Sequence, residues 1–469
     1  MDCKQPLWPG FEYKPHQITA VEWMLKREDS PESGGLLCDE MGLGKTMEIL
    51  GTIKNSSTKG QQTLLLCPKA VIPQWLIAAQ KSSMNCMVLE GEAWILKTPF
   101  KGKQPFIFIT NYEKIQSKTR PFARLWDRVV LDEAHRVKNK NGGLWHKINE
   151  LNRKTLWCVT ATPIINDLPD IRNLFALVGY NKERLANYEY LCKTVSEGCL
   201  HRSMEMMRPV MKELPARPLI TKEPLDFHTE EEAEFYRGIQ GNLMRRWRAL
   251  ESDNITARFA LIMRLRQISL HPQVYINARK KAWVGYERDD WEGTSTKFSA
   301  LRKKLEEPGQ EPARWIIFCQ FHDEMEILET YLSTSPAVGM VLTYHGGISE
   351  KEKEEVLGKS ETALGDKHQI LLLQLQSGGV GLNLQHFSKI VFMSPWWTSA
   401  LMDQAIGRAV RIGQTKIVEV TMLVLKEEET MNIDMAMLEK AEAKRSVLEK
   451  LFQHASRGFD PEDPENVEI

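Results

Sequence analysis

Short apolar runs recur along the first part of the chain at 36–38, 64–67, 106–109, 129–131 and 156–159, separated by polar or helix-compatible stretches. Runs this short, bounded by polar residues, predict buried strands. Residues 15–27 predict a helix, with Ile18, Val21, Met24 and Leu25 at helical spacing for the core. Strands alternating with helices predict a parallel sheet covered on both faces. From 180 to about 295 the rhythm stops, 188–211 and 230–266 read as helical, and 286–293 (YERDDWEG) reads as a polar linker. A second α/β rhythm then begins, with apolar runs at 315–319, 340–344, 370–373, 390–393 and 418–425. The expected fold class is therefore α/β, two tandem parallel-sheet lobes with a helical insertion and linker between them. The boundaries are placed at 1–179, 180–295 and 296–457. A tail follows at 458–469, with five acids and no base, expected to be unordered.

Ligands on such sheets bind at the carboxyl ends of the strands, so the residues after each run matter most. The run 36–38 leads into DEMGLGKT at 39–46, and a helix-like stretch follows. Strand, glycine-bearing loop and helix together make a phosphate cradle, with backbone N–H groups and the helix dipole facing the anion. Its members are Asp39, Glu40, Met41, Gly42, Leu43, Gly44, Lys45 and Thr46. Gly42 and Gly44 allow close approach, Lys45 reaches the outer phosphates of ATP, and the Thr46 hydroxyl is placed to sit on Mg²⁺. The strict phosphate-loop pattern has Gly where this chain has Asp39. Gln17 precedes the cradle closely enough to face a ligand. The run 129–131 leads into Asp132-Glu133-Ala134-His135, where Asp132 is expected on the metal and Glu133 on the attacking water. Taken alone, an acid pair there is more often an ordinary strand-end cap; the phosphate loop upstream gives it the sharper role.

In the second lobe, 401–412 reads as one helix with Gln404, Arg408 and Arg411 on a common face at i, i+4 and i+7. On an isolated helix this is as readily a solvated face. Facing a nucleotide, it is a pair of arginine fingers, worth roughly 10³–10⁵ in rate in nucleotide hydrolases. Arg245, Arg246 and Arg248 alternate with apolar residues and Trp247, which fits either phosphate contact or a solvated amphipathic helix.

Composition narrows the classes. Lys plus Arg number 62 and Asp plus Glu 62 in 469 residues, so any nucleic-acid site is a local groove and not a basic surface. The longest apolar runs are far too short to cross a bilayer, so no membrane role is expected. Eight cysteines form no CxxC pair, and Cys192, Cys199 and His201 lack a fourth ligand at zinc spacing, which favours a reduced intracellular chain without zinc.

The motifs LWPGFEYKPHQ, DEMGLGKT, LLLCPKAVIPQW, ITNYE, DEAH, TATPIIN, WIIFCQF, QSGGVGLNL and DQAIGRAVRIGQ follow one another in this order. This set resembles the Swi/Snf ATPase family within helicase superfamily two, over roughly residues 6–430, in a compact form like those of large DNA viruses. Asp39 in the first phosphate-loop position is a mark of that family. The resemblance implies two RecA-like lobes and a DNA-dependent ATPase, a monomeric motor that tracks along double-stranded DNA. Such motors act on nucleosomes, polymerase or other DNA-bound proteins, in the nucleus if cellular and in the host cytoplasm or virion if viral. Residue by residue, Gln17 matches the adenine-reading position, and Lys45, Thr46, Asp132 and Glu133 match the hydrolytic set. Gln404, Arg408 and Arg411 match the motif that reaches across from the second lobe. Thr160 and Thr162 match the segment coupling hydrolysis to DNA. Asn111, Tyr112, Ser377, Gly378, Gly379 and Trp396 match stretches along the DNA groove. Three departures stand out: TATP for TGTP, Ser377 for Ala, and MRPVMKELP where the family carries an arginine-rich stretch. The alternatives are a strand-separating DNA or RNA helicase and a catalytically silent DNA-binding scaffold.

Overall fold

The structure, a computed structural model, describes residues 5–56, 60–251, 254–378, 382–426 and 432–457. The acidic tail and Gly379 lie outside the described residues. By contact the chain falls into two units, residues 1–214 with 443–469, and residues 215–442.

In the first unit the strands are β1 (Gly34–Leu37), β2 (Gln62–Cys67), β3 (Asn85–Glu90), β4 (Ala93–Leu96), β5 (Phe106–Asn111), β6 (Trp126–Asp132), β7 (Arg153–Val159) and β8 (Cys199–Leu200). They form one sheet in the order β4-β3-β5-β2-β6-β7-β1-β8. All pairs are parallel except the β3–β4 hairpin at the edge. Each central strand is apolar on both sides because both faces are covered. Leu36, Leu64, Leu66, Val129, Leu131 and Leu156 face one core. Their immediate neighbours Leu37, Leu65, Cys67, Val130, Trp157 and Val159 face the other. The helices Pro15–Glu28, Lys45–Asn55 and Ile72–Lys81 cover this second face through Met24, Ile49, Leu50, Ile53 and Trp75.

Register decides which strand ends become neighbours. Val159 of β7 pairs with Leu37 on one side and with Asp132 on the other. The loops that leave β1, β7 and β6 therefore emerge side by side at one carboxyl edge.

The second unit is a six-stranded parallel sheet of β9 (Leu219–Leu225), β10 (Arg314–Cys319), β11 (Val338–Tyr344), β12 (His368–Gln374), β13 (Lys389–Phe392) and β14 (Glu419–Leu425), ordered β11-β12-β10-β13-β14-β9. Ile316, Phe318, Leu371, Leu373 and Phe392 face one core. Trp315, Ile317, Ile370, Leu372 and Val391 face the other.

The paired parallel-sheet lobes expected from the sequence are present. The stretches expected to be helical between them are more broken than their composition suggests. Residues 188–211 hold helices Tyr188–Gly198 and Met204–Met207 with β8 between them, and 230–266 divides into Glu230–Ala249 and the start of Ile255–Leu270. Strands β3, β4, β8 and β9 fall outside the apolar runs. β9 is exposed along most of its length and carries Pro224, so no apolar period marks it. It is held by its register with β14, from Leu219 opposite Glu419 to Leu225 opposite Leu425, at a sheet edge where proline is tolerated.

Candidate functional site

The loop after β1 turns through Gly42 (φ 90°) and Gly44 (φ 94°), both in the left-handed region that glycine enters without a Cβ penalty. Gly44 is also the N-cap of helix Lys45–Asn55, and no side chain caps that end. The Met47 N–H turns back to the Gly44 carbonyl at 2.8 Å, and an uncapped helix start of this kind presents its leading N–H groups to an anion. A Cβ at Gly44 would stand 2.5 Å from Gln17 Nε2, so the loop and Gln17 fit only with glycine between them. Gln17 Nε2 donates to the Leu43 carbonyl at 3.3 Å, and His16 Nε2 lies 2.8 Å from the same oxygen. Lys45 Nζ donates to the Asp39 carbonyl at 2.6 Å and the Glu40 carbonyl at 3.3 Å, which holds the ammonium over the loop.

Asp39 is fully buried, and a residue that carries no motif signal of its own explains how. Arg202, just past β8, donates from Nε to both Asp39 carboxylate oxygens at 3.1 and 2.9 Å, and Nη2 closes the fork on Asp39. Nη2 also reaches Glu48 Oε1 at 2.8 Å, and Nη1 donates to the His16 carbonyl at 2.6 Å. One guanidinium thus ties the loop, the helix behind it and the helix bearing Gln17 together. Burial, and then the Asp39 charge, push the Glu48 carboxyl far above its ordinary value. Glu40 is fixed as well, its Oε2 accepting from Met204 N at 2.6 Å.

At the end of β6, Asp132 accepts from Trp75 Nε1 at 2.7 Å and from Glu133 N at 3.1 Å. Burial, and then the neighbouring Glu133 charge, push its carboxyl up to about 6. Trp75 ends the motif LLLCPKAVIPQW, but nothing in that string gives it this partner. Glu133 adopts the left-handed conformation, φ 54° and ψ 50°, a strain of about 1–2 kcal/mol for a residue with a Cβ. Its Oε2 lies 3.4 Å from His135 Nδ1. That nitrogen lies 3.1 Å from Thr160 Oγ1 and 3.4 Å from Thr162 Oγ1, so Glu133 is linked through one ring to the loop after β7. Burial, and then the Arg136 and Lys138 charges, lower the His135 ring to about 4, which keeps it neutral at neutral pH.

The residues fit ATP and a magnesium ion. Mg²⁺ takes one or two protein oxygens and completes its shell with phosphate and water. Among the described residues no group of three or more His, Cys, Asp or Glu could hold a metal. The Asp132 carboxylate at the end of β6 is an oxygen donor of the kind such an ion takes.

Three positions expected from the sequence to lie along a DNA groove have side chains turned inward. Asn111 caps helix Tyr112–Ser117 by accepting from Lys114 N at 3.0 Å. Tyr112 is buried and donates its hydroxyl to the Asp132 carbonyl at 2.6 Å. Trp396 is buried beneath the Arg266 guanidinium, whose carbon stands 4.3 Å from the ring centroid. Ser377 and Gly378 lie in the short helix Leu375–Gly378.

The helix expected over 401–412 is instead Ser399–Ile406, and it stops at Gly407, whose N–H bonds back to the Asp403 carbonyl at 2.8 Å. Beyond it the chain continues in tight turns, and the Arg408 carbonyl accepts from Leu384 N at 3.1 Å, which draws the segment onto the neighbouring chain. Gln404 is therefore helical while Arg408 and Arg411 are not, and the three do not form one helical stripe. Gln404 and Arg408 are buried, and Arg411 Nε donates to the Gly407 carbonyl at 3.0 Å. Burial, and then the Arg408 charge, lower Arg411 to about 10, so it remains cationic at neutral pH.

A family profile described as the SNF2-related domain matches residues 16–274, more than half of the chain, and one described as the helicase conserved C-terminal domain matches 296–413. A probable global transactivator of Orgyia pseudotsugata multicapsid polyhedrosis virus is 25% identical over 471 aligned positions, covering 95% of this chain and 92% of that protein. An ISWI chromatin-remodeling complex ATPase of Saccharomyces cerevisiae is 24% identical, covering 90% of this chain but only 39% of its own length. The chain thus spans well under half of that larger relative. A Sulfolobus solfataricus SWI2/SNF2 ATPase core solved with double-stranded DNA is 20% identical with a TM-score of 0.41, covering 98% of this chain and 100% of that one.

Proposed function

The chain belongs to the SNF2-related family of ATP-dependent, helicase-like enzymes, and from that premise we propose that it is a DNA-dependent ATPase motor that translocates on duplex DNA and displaces or remodels DNA-bound protein. The observation that carries the proposal is the common edge of the first sheet. The uncapped helix behind Gly44, the Asp132–Glu133 strand end and the Thr160–Thr162 loop leave adjacent strands there.

In this proposal the loop N–H groups and Lys45 bind the phosphates of ATP, and Gln17 lies beside the base. Thr46 and Asp132 hold Mg²⁺, which supplies neutralising charge to the phosphates when bound. Glu133 orients the attacking water and takes its proton. His135, neutral and in reach of Thr160, reports the state of Glu133 to the next loop. Arg408 and Arg411 supply positive charge to the phosphoryl group in transfer, and Gln404 adds an amide beside them. Asn111, Tyr112, Ser377, Gly378, Gly379 and Trp396 belong to DNA-facing segments, with Asn111, Tyr112 and Trp396 acting as braces for the backbone around them. Nucleosomes, polymerase or other DNA-bound proteins are the partners proposed, in the nucleus, or in the host cytoplasm or virion of a virus.

The test is the ATPase rate measured in parallel with no nucleic acid, duplex DNA, single-stranded DNA and RNA. Duplex DNA alone is expected to stimulate strongly, and Lys45→Ala or Glu133→Gln to abolish the stimulated rate. Stimulation by RNA alone, or unchanged turnover in either variant, would overturn the proposal. A forked duplex without bound protein should keep its strands paired, which separates a translocase from a strand-separating helicase.

A further inference from the structure

The second unit contains a groove of about 990 Å³ that the ATPase reading leaves unused. Helices Glu230–Ala249, Ile255–Leu270 and Pro272–Ala282 and the stretch that follows them form its walls. Five arginines line it, Arg245, Arg246, Arg264, Arg279 and Arg288, and no lining residue is acidic. Among the described residues none of the five is paired with a carboxylate. Arg245 donates to Asn242 Oδ1 and Arg264 to Gln267 Oε1. Arg279 and Arg288 lie over the rings of Tyr286 and Phe235 at 5.3 and 4.2 Å. Arg279 Nε is buried and has no acceptor.

Guanidinium groups gathered without a counter-charge repel one another, and an unmet buried donor is costly. Their placement is also not that of a helix stripe. Arg248, on the same helix as Arg245 and Arg246, does not line the groove, whereas arginines from three helices and the following stretch do. At the floor is Tyr275, 6% exposed. Burial pushes its hydroxyl up, and the charges of Arg279, Arg264 and Arg246 all act against that push.

We propose that this groove binds a compact anion bearing several phosphate groups. Each planar guanidinium can grip phosphate oxygens through two parallel N–H bonds. The volume is that of a small-molecule site. A duplex presents its phosphates along a line and would be met by a stripe of charge, whereas charge drawn from several directions into a concavity suits a compact ligand. Tyr275 and Tyr286 add a hydroxyl and an aromatic wall.

Calorimetric titration of the full chain with tripolyphosphate tests this, in a Lys45→Ala background that suppresses binding at the nucleotide loop. Saturable binding of one equivalent is expected, weakened tenfold or more by Arg264→Gln with Arg279→Gln. Arg248→Gln, outside the groove, should leave it unchanged. If the inner pair fails to fold, the rim pair Arg246→Gln with Arg288→Gln decides by the same criterion. No saturable binding, or binding indifferent to the groove substitutions, overturns the proposal. So does groove-dependent binding of a short duplex without tripolyphosphate binding, which would assign the groove to a nucleic-acid backbone. Equal affinity for a polyglutamate peptide of matched charge overturns it too, because the groove would then read charge alone.

Discussion

Arg202→Ala should unfasten the glycine-bearing loop that follows β1. The guanidinium serves Asp39 through Nε and Nη2, Glu48 through Nη2 and the His16 carbonyl through Nη1. Its side chain is 11% exposed and the Asp39 side chain is fully buried, so little solvent screening is available to replace the pair. Breaking a buried pair by removing one partner costs about 3–5 kcal/mol. We expect about 3 kcal/mol, the low end of that range, because water can follow into the space the side chain vacates. With a urea slope of roughly 1–3 kcal/mol/M, the midpoint of the first unit's transition should fall by about 1–3 M. The assay is urea unfolding of the full chain followed by circular dichroism and tryptophan fluorescence. Arg202→Met combined with Asp39→Asn should recover most of the loss, since it removes the stranded charge along with its partner. A single variant within about 1 kcal/mol of the parent, or a double variant no better than the single, would refute the account of Asp39.

Gly44→Ala should weaken binding of a non-hydrolysable ATP analogue, measured by titration, because the new Cβ meets Gln17 Nε2 at 2.5 Å and φ 94° adds about 1–2 kcal/mol of strain. His135 titrates at about 4 in the folded chain against 6.5 unfolded, so the unfolded state binds the extra proton between those values. Stability should therefore drop by up to about 3 kcal/mol as pH falls from 6.5 to 4, and His135→Gln should flatten that slope in urea unfolding at stepped pH. Lys297→Met in the second unit strands Asp434, which pairs with Lys297 Nζ at 2.5 Å while both are buried. A loss of about 3–5 kcal/mol is expected in thermal or urea unfolding, with partial recovery on adding Asp434→Asn.

The sequence by itself determined whatever depends on near neighbours. Strand runs, the Gly42–Gly44–Lys45–Thr46 cradle and the acid pair closing β6 are contiguous, and local sterics and strand ends give them their places. Tertiary structure decided which distant residue satisfies each buried charge. Arg202 and Asp39 lie 163 positions apart, and Trp75 and Asp132 lie 57 apart. No periodicity encodes such a pairing, because only the folded sheet order brings the partners together. The same holds for β9, whose exposed side chains carry no apolar signal and whose strand exists through its register with β14. It holds also for the end of the helix at Ile406, where helical spacing extends to Arg411 but Gly407 and the bond from Leu384 to Arg408 redirect the chain. Spacing fixes which residues could share a face; the packed backbone fixes which of them do.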